Sequence, residues 1–172
     1  MGALQDSTVY LSGPIEFEDT SKPDWRPPVI EVLSKRFGIN VHDPSTDEKQ
    51  GRAPLLVKAL AEERYDDAEK IARLFVKKDL VLIDHSHFLI AYAPRGVATT
   101  GTPCETHYAV NAKKPVFVVC EEGKRFAPRW YFGNLRHRYI YGSWDELYEY
   151  LQEVDDGKHK DNHRWWFVYE MI

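Results

Sequence analysis

Cysteine is scarce in this chain: two occur in 172 residues, Cys104 and Cys120, and their spacing is not that of a pair. A disulfide framework and a cysteine-based metal site are therefore not expected, and two reduced thiols fit a cytoplasmic protein. Long apolar runs are missing, and the first residues lack the basic-then-apolar pattern of a secretory signal. A soluble chain with no membrane partner is the expectation. A basic excess is also lacking, with a formal net charge of -4. General nucleic-acid binding usually shows as surplus Lys and Arg, so nucleic acid is not the expected partner. His42, His85 and His87 do not make a metal-ligand set, and no metal or cofactor is expected. There is no internal repeat and no low-complexity tract.

What is present is an ordinary globular composition, 43% hydrophobic and 29% charged, long enough for one domain (residues 1–172) with its own core. Thr8-Val9-Tyr10-Leu11 is a short apolar run that stops at Ser12-Gly13-Pro14, which predicts a buried strand entering a tight turn. Glycine there lets backbone come close to a ligand. After a polar linker, Asp24-Trp25-Arg26-Pro27-Pro28 opens a helix in which Val29, Ile30, Leu33 and Phe37 recur at helical spacing, with Asp24 as N-cap and Gly38 as stop. Ile39 to His42 reads as a second strand ending at Asp43-Pro44, and the polar stretch to about Arg52 reads as a loop long enough to reach over a site.

From Pro54 the pattern is helical, with Leu55, Leu56, Ala59 and Leu60 on one face. A second helical run through Ala68, Ile71, Ala72, Phe75, Val76 and Leu80 ends near Ile83-Asp84. Phe88 to Ala93 is a third strand, followed by a helix from Glu105 to Ala112. Pro115 to Cys120 is a fourth strand, unbroken in its apolarity as a sheet covered on both faces requires. Tyr139 to Tyr141 is the fifth, and Ser143 with Glu146 three positions on opens a last helix through Leu147, Tyr150 and Leu151. Residues 155–172 read as a polar, then aromatic tail. The alternation predicts an α/β fold, a parallel five-stranded sheet with helices on both sides.

The chain is organised around Ala98 to Ala109, between the third strand and the following helix, where open α/β sheets place their ligands. Thr100, Gly101 and Thr102 supply a flexible turn and hydroxyls, and Pro103 suits a first helical turn. Glu105 falls within that turn, where the helix dipole favours its ionised form. A carboxylate held charged at a cleft floor is a candidate nucleophile, and equally an ordinary helix-start carboxylate. Cys104 is a rival nucleophile without an obvious base, His107 lying three positions on. Tyr10 with Ser12-Gly13-Pro14, Asp43-Pro44 and the Thr-Gly-Thr loop with Glu105 all fall at carboxyl ends of expected strands, and that convergence is more telling than any one motif.

Val-Tyr-Leu-Ser-Gly-Pro-Ile at 9–15, Asp24-Trp25-Arg26 before a helix, Asp79 and Asp84 near a helix end, Phe-Leu-Ile-Ala-Tyr at 88–92 and Gly101-Thr102-Pro103-Cys104-Glu105 together resemble the nucleoside 2-deoxyribosyltransferase family, over roughly residues 8–151. The resemblance implies a flavodoxin-like, doubly wound sheet. It implies that Glu105 attacks the anomeric carbon of a nucleoside and is left carrying the sugar as an ester, in line with retaining sugar chemistry. Asp79 matches the aspartate that meets the departing base, with Asp84 its rival for that role. Tyr10 matches a tyrosine that orients the nucleophile. Ser12, Gly13, Pro14, Asp43, Gly101 and Thr102 line the expected substrate site. Asn134 is the candidate for an asparagine that the family often borrows from a neighbouring subunit, together with a C-terminal carboxylate, so a homo-oligomer is implied.

Trp25 either stacks on a base or fills the core. Arg26, Lys124, Arg125, Arg129, Arg136 and Arg138 either hold a 5′-phosphate or are solvated surface. Trp130, Tyr131 and Phe132 interleave that basic run as in single-strand binders, but one short run in an acidic chain does not carry such a partner. The expected activity is cleavage of the N-glycosidic bond of a (deoxy)nucleoside or its 5′-monophosphate, with the sugar passed to another base. One alternative is a nucleotide N-glycosidase with water as acceptor. Another is a non-catalytic nucleotide or ADP-ribose sensor, which has no need of both Glu105 and Asp79.

Overall fold

In the computed structural model, which describes residues 2–15, 24–47, 53–97 and 99–169, five strands pair in parallel in the order β2-β1-β3-β4-β5. They are β1 (Thr8–Ser12), β2 (Asn40–His42), β3 (Phe88–Tyr92), β4 (Val116–Val119) and β5 (Ile140–Tyr141). This order is that of the flavodoxin-like doubly wound sheet, whose direction of winding reverses between β1 and β3 and opens a crevice at their carboxyl ends. The fold class expected from the alternating pattern is the one observed.

Period-two alternation decides which face each side chain serves. Val9 and Leu11 join Phe88, Ile90, Phe117 and Val119 on one face, under α1 (Arg26–Phe37) and α7 (Trp144–Asp155). Tyr10, Leu89, Ala91, Val116 and Val118 point to the other, where α4 (Tyr65–Asp84), α5 (Gly101–Asn111) and α6 (Arg129–Asn134) pack. Gly38 adopts φ +66 and its N–H reaches the carbonyls of Leu33 and Ser34, so it stops α1 in the left-handed conformation that glycine takes at little cost. The cap of α7 is also as expected: the Ser143 hydroxyl accepts from the Glu146 N–H.

Three local readings change. The segment after Asp43 begins with a one-turn helix, α2 (Ser45–Asp47), and not with loop, because the Asp43 carboxylate accepts from the Ser45 N–H at 2.9 Å and from its hydroxyl at 3.0 Å. The remainder of that expected loop, 48–52, lies outside the described residues, as do the linker at 16–23 and Ala98. The helix after β3 begins at Gly101, so Pro103 is its third residue and Glu105 its fifth, and the first turn holds no acidic group. Local hydroxyl and glycine chemistry looked like a turn, but the helix absorbs it. Finally, residues 163–169 form a 3-10 turn and α8 (Trp166–Tyr169), with Trp165, Phe167 and Val168 buried in the core under α1 and α7. That segment lies toward the amino ends of the strands, where Phe167 stacks on His87 just before β3, at 5.1 Å between centroids.

The other helices are α3 (Ala53–Ala61) and α4, which pair as a hairpin. Leu55, Val57, Leu60, Leu74, Val76 and Val81 on these two helices stay exposed. Among the described residues, no helix is long and apolar enough to cross a membrane.

Candidate active site

Tyr10 and Ser12 are two apart on β1 and so project from the same face, toward α5. Both are fully buried. The Tyr10 hydroxyl donates to Glu105 Oε1 at 2.9 Å, and the Ser12 hydroxyl donates to Glu105 Oε2. One carboxylate is thus gripped at both oxygens by hydroxyls from the carboxyl half of β1. The neighbouring strand makes room with Ala91, which pairs with Ser12 in the sheet. Burial pushes the Glu105 carboxyl up from its ordinary value, while the Ser12 and Tyr10 hydroxyls and the Arg26 charge pull it back without cancelling the rise. The helix dipole is a weaker influence than the sequence suggested, since Glu105 begins the second turn.

The turn after β1 is tied down from α1. Arg26 is 1% exposed, and its Nη2 donates to the carbonyls of Gly13 at 3.2 Å and Pro14 at 3.1 Å. Its Nε lies 3.3 Å from Asp43 Oδ1. Asp24 holds the start of α1 from one residue before the N-cap, accepting from the Arg26 N–H at 3.1 Å. Arg26 is accordingly neither solvated surface nor presented for a phosphate; reaching one would cost its buried contacts. Gly13 does serve a close approach, but to protein: a Cβ there would sit 2.5 Å from Trp25 Cζ2. Trp25 packs in turn on Trp144, stacked at 5.5 Å, on Tyr92 at 4.9 Å and beneath the Arg26 guanidinium at 4.5 Å. Its ring is partly buried and packs against the core.

The remaining expected residues divide by position. Asp79 lies on the face of α4 that carries Ala68, Phe75 and Leu82, partly buried. Asp84 ends α4 near the amino end of β3, where it is exposed and accepts from the Tyr108 hydroxyl at 3.0 and 3.1 Å, so it does not share the carboxyl edge with Glu105. Gly101 faces open space, while Thr102 is buried and its carbonyl accepts from the Thr106 hydroxyl at 2.6 Å. Asn134 ends α6, with its Oδ1 3.2 Å from His107 Nδ1. His107 is two residues from Glu105 and so faces nearly the other way on α5, which keeps Asn134 off the Glu105 face. Of the basic run, Arg125, Arg129, Arg136 and Arg138 are exposed surface.

Sequence reasoning missed the pairing of Ser12 with Glu105 and the burial of Arg26. The first was within reach, because the Tyr10-x-Ser12 spacing places both hydroxyls on one face of a strand. The second had no local signal.

Against known proteins, residues 9–163 match the family model described as nucleoside 2-deoxyribosyltransferase. Among solved structures, the chain is similar to a 2-deoxyribosyltransferase from the psychrotolerant bacterium Bacillus psychrosaccharolyticus. The two are 17% identical, with 67% of this chain and 73% of that chain covered and a TM-score of 0.49. No curated protein matches.

Proposed function

Because the chain belongs to the nucleoside 2-deoxyribosyltransferase family, we propose that it cleaves the N-glycosidic bond of a 2′-deoxynucleoside through Glu105 and transfers the sugar to another base. The observation that carries this reading is the two-handed grip of Tyr10 and Ser12 on the Glu105 carboxylate at the carboxyl edge of the sheet. Two donors fix the orientation of the carboxylate, while partial burial strips it of water and raises its nucleophilic strength. Glu105 attacks the anomeric carbon while the bond to the base breaks through an oxocarbenium-like transition state. The leaving nitrogen takes a proton from Asp79. The glycosyl ester is then attacked by the nitrogen of an acceptor base, which returns a proton to Asp79 and frees Glu105. The substrate carries no 5′-phosphate in this reading. Arg26, whose charge acts on Glu105, is committed to protein groups.

The active unit in this reading is a homo-oligomer. Asn134 is held away from its own chain's Glu105, and the exposed apolar residues of α3 and α4 suit burial against a second copy. Light scattering on the purified protein checks that.

The test of the function is base exchange by chromatography on a panel of nucleosides and 5′-monophosphates, with and without an acceptor base, beside Glu105→Ala. Exchange that needs the acceptor and vanishes in the variant is expected. Base release without acceptor, mainly from monophosphates, replaces transfer with hydrolysis. Nucleotide binding with no turnover in either protein replaces the enzyme with a sensor.

A further inference from the structure

We propose that Arg26 is the positioning residue of this site, a buried strut that fixes the Gly13-Pro14 turn and Asp43 in place and thereby sets the Ser12 hydroxyl against the Glu105 carboxylate. The inference rests on Glu105 being the reactive carboxylate. Gly13 and Pro14 follow Ser12 directly, so the two carbonyls that Arg26 Nη2 engages lie one and two residues from the hydroxyl that holds Glu105. The same guanidinium reaches Asp43 after β2. A single side chain on α1 therefore ties together the carboxyl ends of β1 and β2. Trp25 closes the turn from the neighbouring position, filling the space where a Gly13 side chain would stand.

A fork of donors is needed for this arrangement. Arginine presents several N–H groups in one rigid plane, whereas a lysine ammonium is a compact point charge on a flexible stem. Burying a guanidinium is costly unless carbonyls and a carboxylate surround it, and here they do. Its charge is also one of the influences that keep Glu105 from rising further. Arg26 touches no substrate atom in this scheme and acts only through Ser12, Asp43 and Glu105.

The test reads the Glu105 carboxyl directly, by carbon NMR titration of protein labelled at glutamate, with Glu105→Gln assigning the signal. Arg26→Gln is expected to move the titration of Glu105 to higher pH and to lower kcat/KM about tenfold at every pH through loss of the strut, with a further loss on the acid limb that recovers as the pH rises. Arg26→Lys, which retains the charge and serves if Arg26→Gln does not fold, is expected to leave the titration near that of the wild type. Its kcat nevertheless falls about tenfold, with KM little changed, because the ammonium does not span the two carbonyls and Asp43 together. A Glu105 titration unmoved in folded Arg26→Gln overturns the proposal, and so does wild-type kcat in Arg26→Lys. Loss of base exchange in wild type would instead sink the assigned activity, a result the titration does not depend on.

Discussion

The two edges of the sheet bury polar groups in opposite ways. Toward the amino edge, three buried or partly buried side chains engage backbone. His87 Nδ1 accepts from the Thr8 N–H at 2.9 Å, Lys114 Nζ donates to the carbonyls of Asp84 at 3.0 Å and Ser86 at 2.7 Å, and the Ser86 hydroxyl lies 3.0 Å from His42 Nδ1 while donating to the Leu82 carbonyl. At the carboxyl edge, side chains from β1 and α1 converge instead on one carboxylate and the turn beside it. Polar groups that saturate backbone hold a fold together. A carboxylate held by two hydroxyls, with its proton affinity raised by burial, is an arrangement that stability alone does not favour. The contrast is a reason to propose the chemistry at the carboxyl edge that no single residue supplies.

Glu105→Gln draws the contrast most sharply, because it is expected to move activity and stability in opposite directions. Base exchange falls by about 10³-fold or more, since the reacting atom is gone. Stability at neutral pH should rise slightly. A carboxyl whose folded-state affinity for protons is raised loses stability as pH climbs above its ordinary value of 4.5, and an uncharged amide of the same shape escapes that loss. The group is only partly buried, so the gain is small, on the order of a degree or two in Tm. Thermal denaturation beside the exchange assay checks both halves. An inactive variant with a lowered Tm would make Glu105 an ordinary structural carboxylate.

Tyr10→Phe takes away one of the two donors and leaves the ring in the core. We expect kcat to fall by about 10- to 100-fold, the worth of one hydrogen bond to a charged group. The acid limb of its pH profile shifts upward, because a donor that favoured the ionised form is lost. Unchanged kcat would show that Ser12 alone suffices to hold Glu105.

The elements were legible in the sequence wherever pattern is local. Uninterrupted runs such as Val116 to Val119 and the helical spacing of Val29, Leu33 and Phe37 report burial directly. The flavodoxin-like order follows once strands alternate with helices. The start of α5 was not legible, because Thr100, Gly101 and Thr102 have turn chemistry that only tertiary packing overrides. Arg26 was not legible either. An arginine at a helix start is ordinarily solvated, and what buries this one is two carbonyls from residues 13 and 14 and a carboxylate at 43, partners that the folded chain alone brings together. Asp84 was misplaced by proximity to β3 in sequence, since the residue next to the start of a strand lies at the edge opposite its end.

Lys114→Met probes the amino edge in the same terms. It leaves the carbonyls of Asp84 and Ser86 without their donor, and we expect a loss of about 1–3 kcal/mol in stability by denaturant titration. Base exchange per folded molecule should not change. A fall in kcat with stability intact would erase the division between the two edges.

The smallest expected effect belongs to His87, and its sign is fixed by its partners. Burial, aided by the Lys114 charge, lowers the proton affinity of the imidazole from its ordinary value of 6.5. The native form is therefore the neutral ring, with Nδ1 bare to accept the Thr8 N–H. Between the depressed folded value and 6.5 the unfolded chain binds more protons than the folded one, so stability rises with pH through that window and is lost as pH falls below 6.5. His87→Asn places an amide oxygen where Nδ1 stood and keeps the acceptor without the titration. The variant forfeits some stacking on Phe167, so its stability is lower throughout, but its slope against pH should be flatter below 6.5. The ring is partly exposed, which limits the difference in slope to under about 1 kcal/mol across the window. Denaturant titrations of both proteins at intervals from about pH 8 to about pH 5 measure it. Parallel curves would mean that His87 binds protons equally well in the folded and unfolded chain, so that its neutral form contributes nothing to the amino edge.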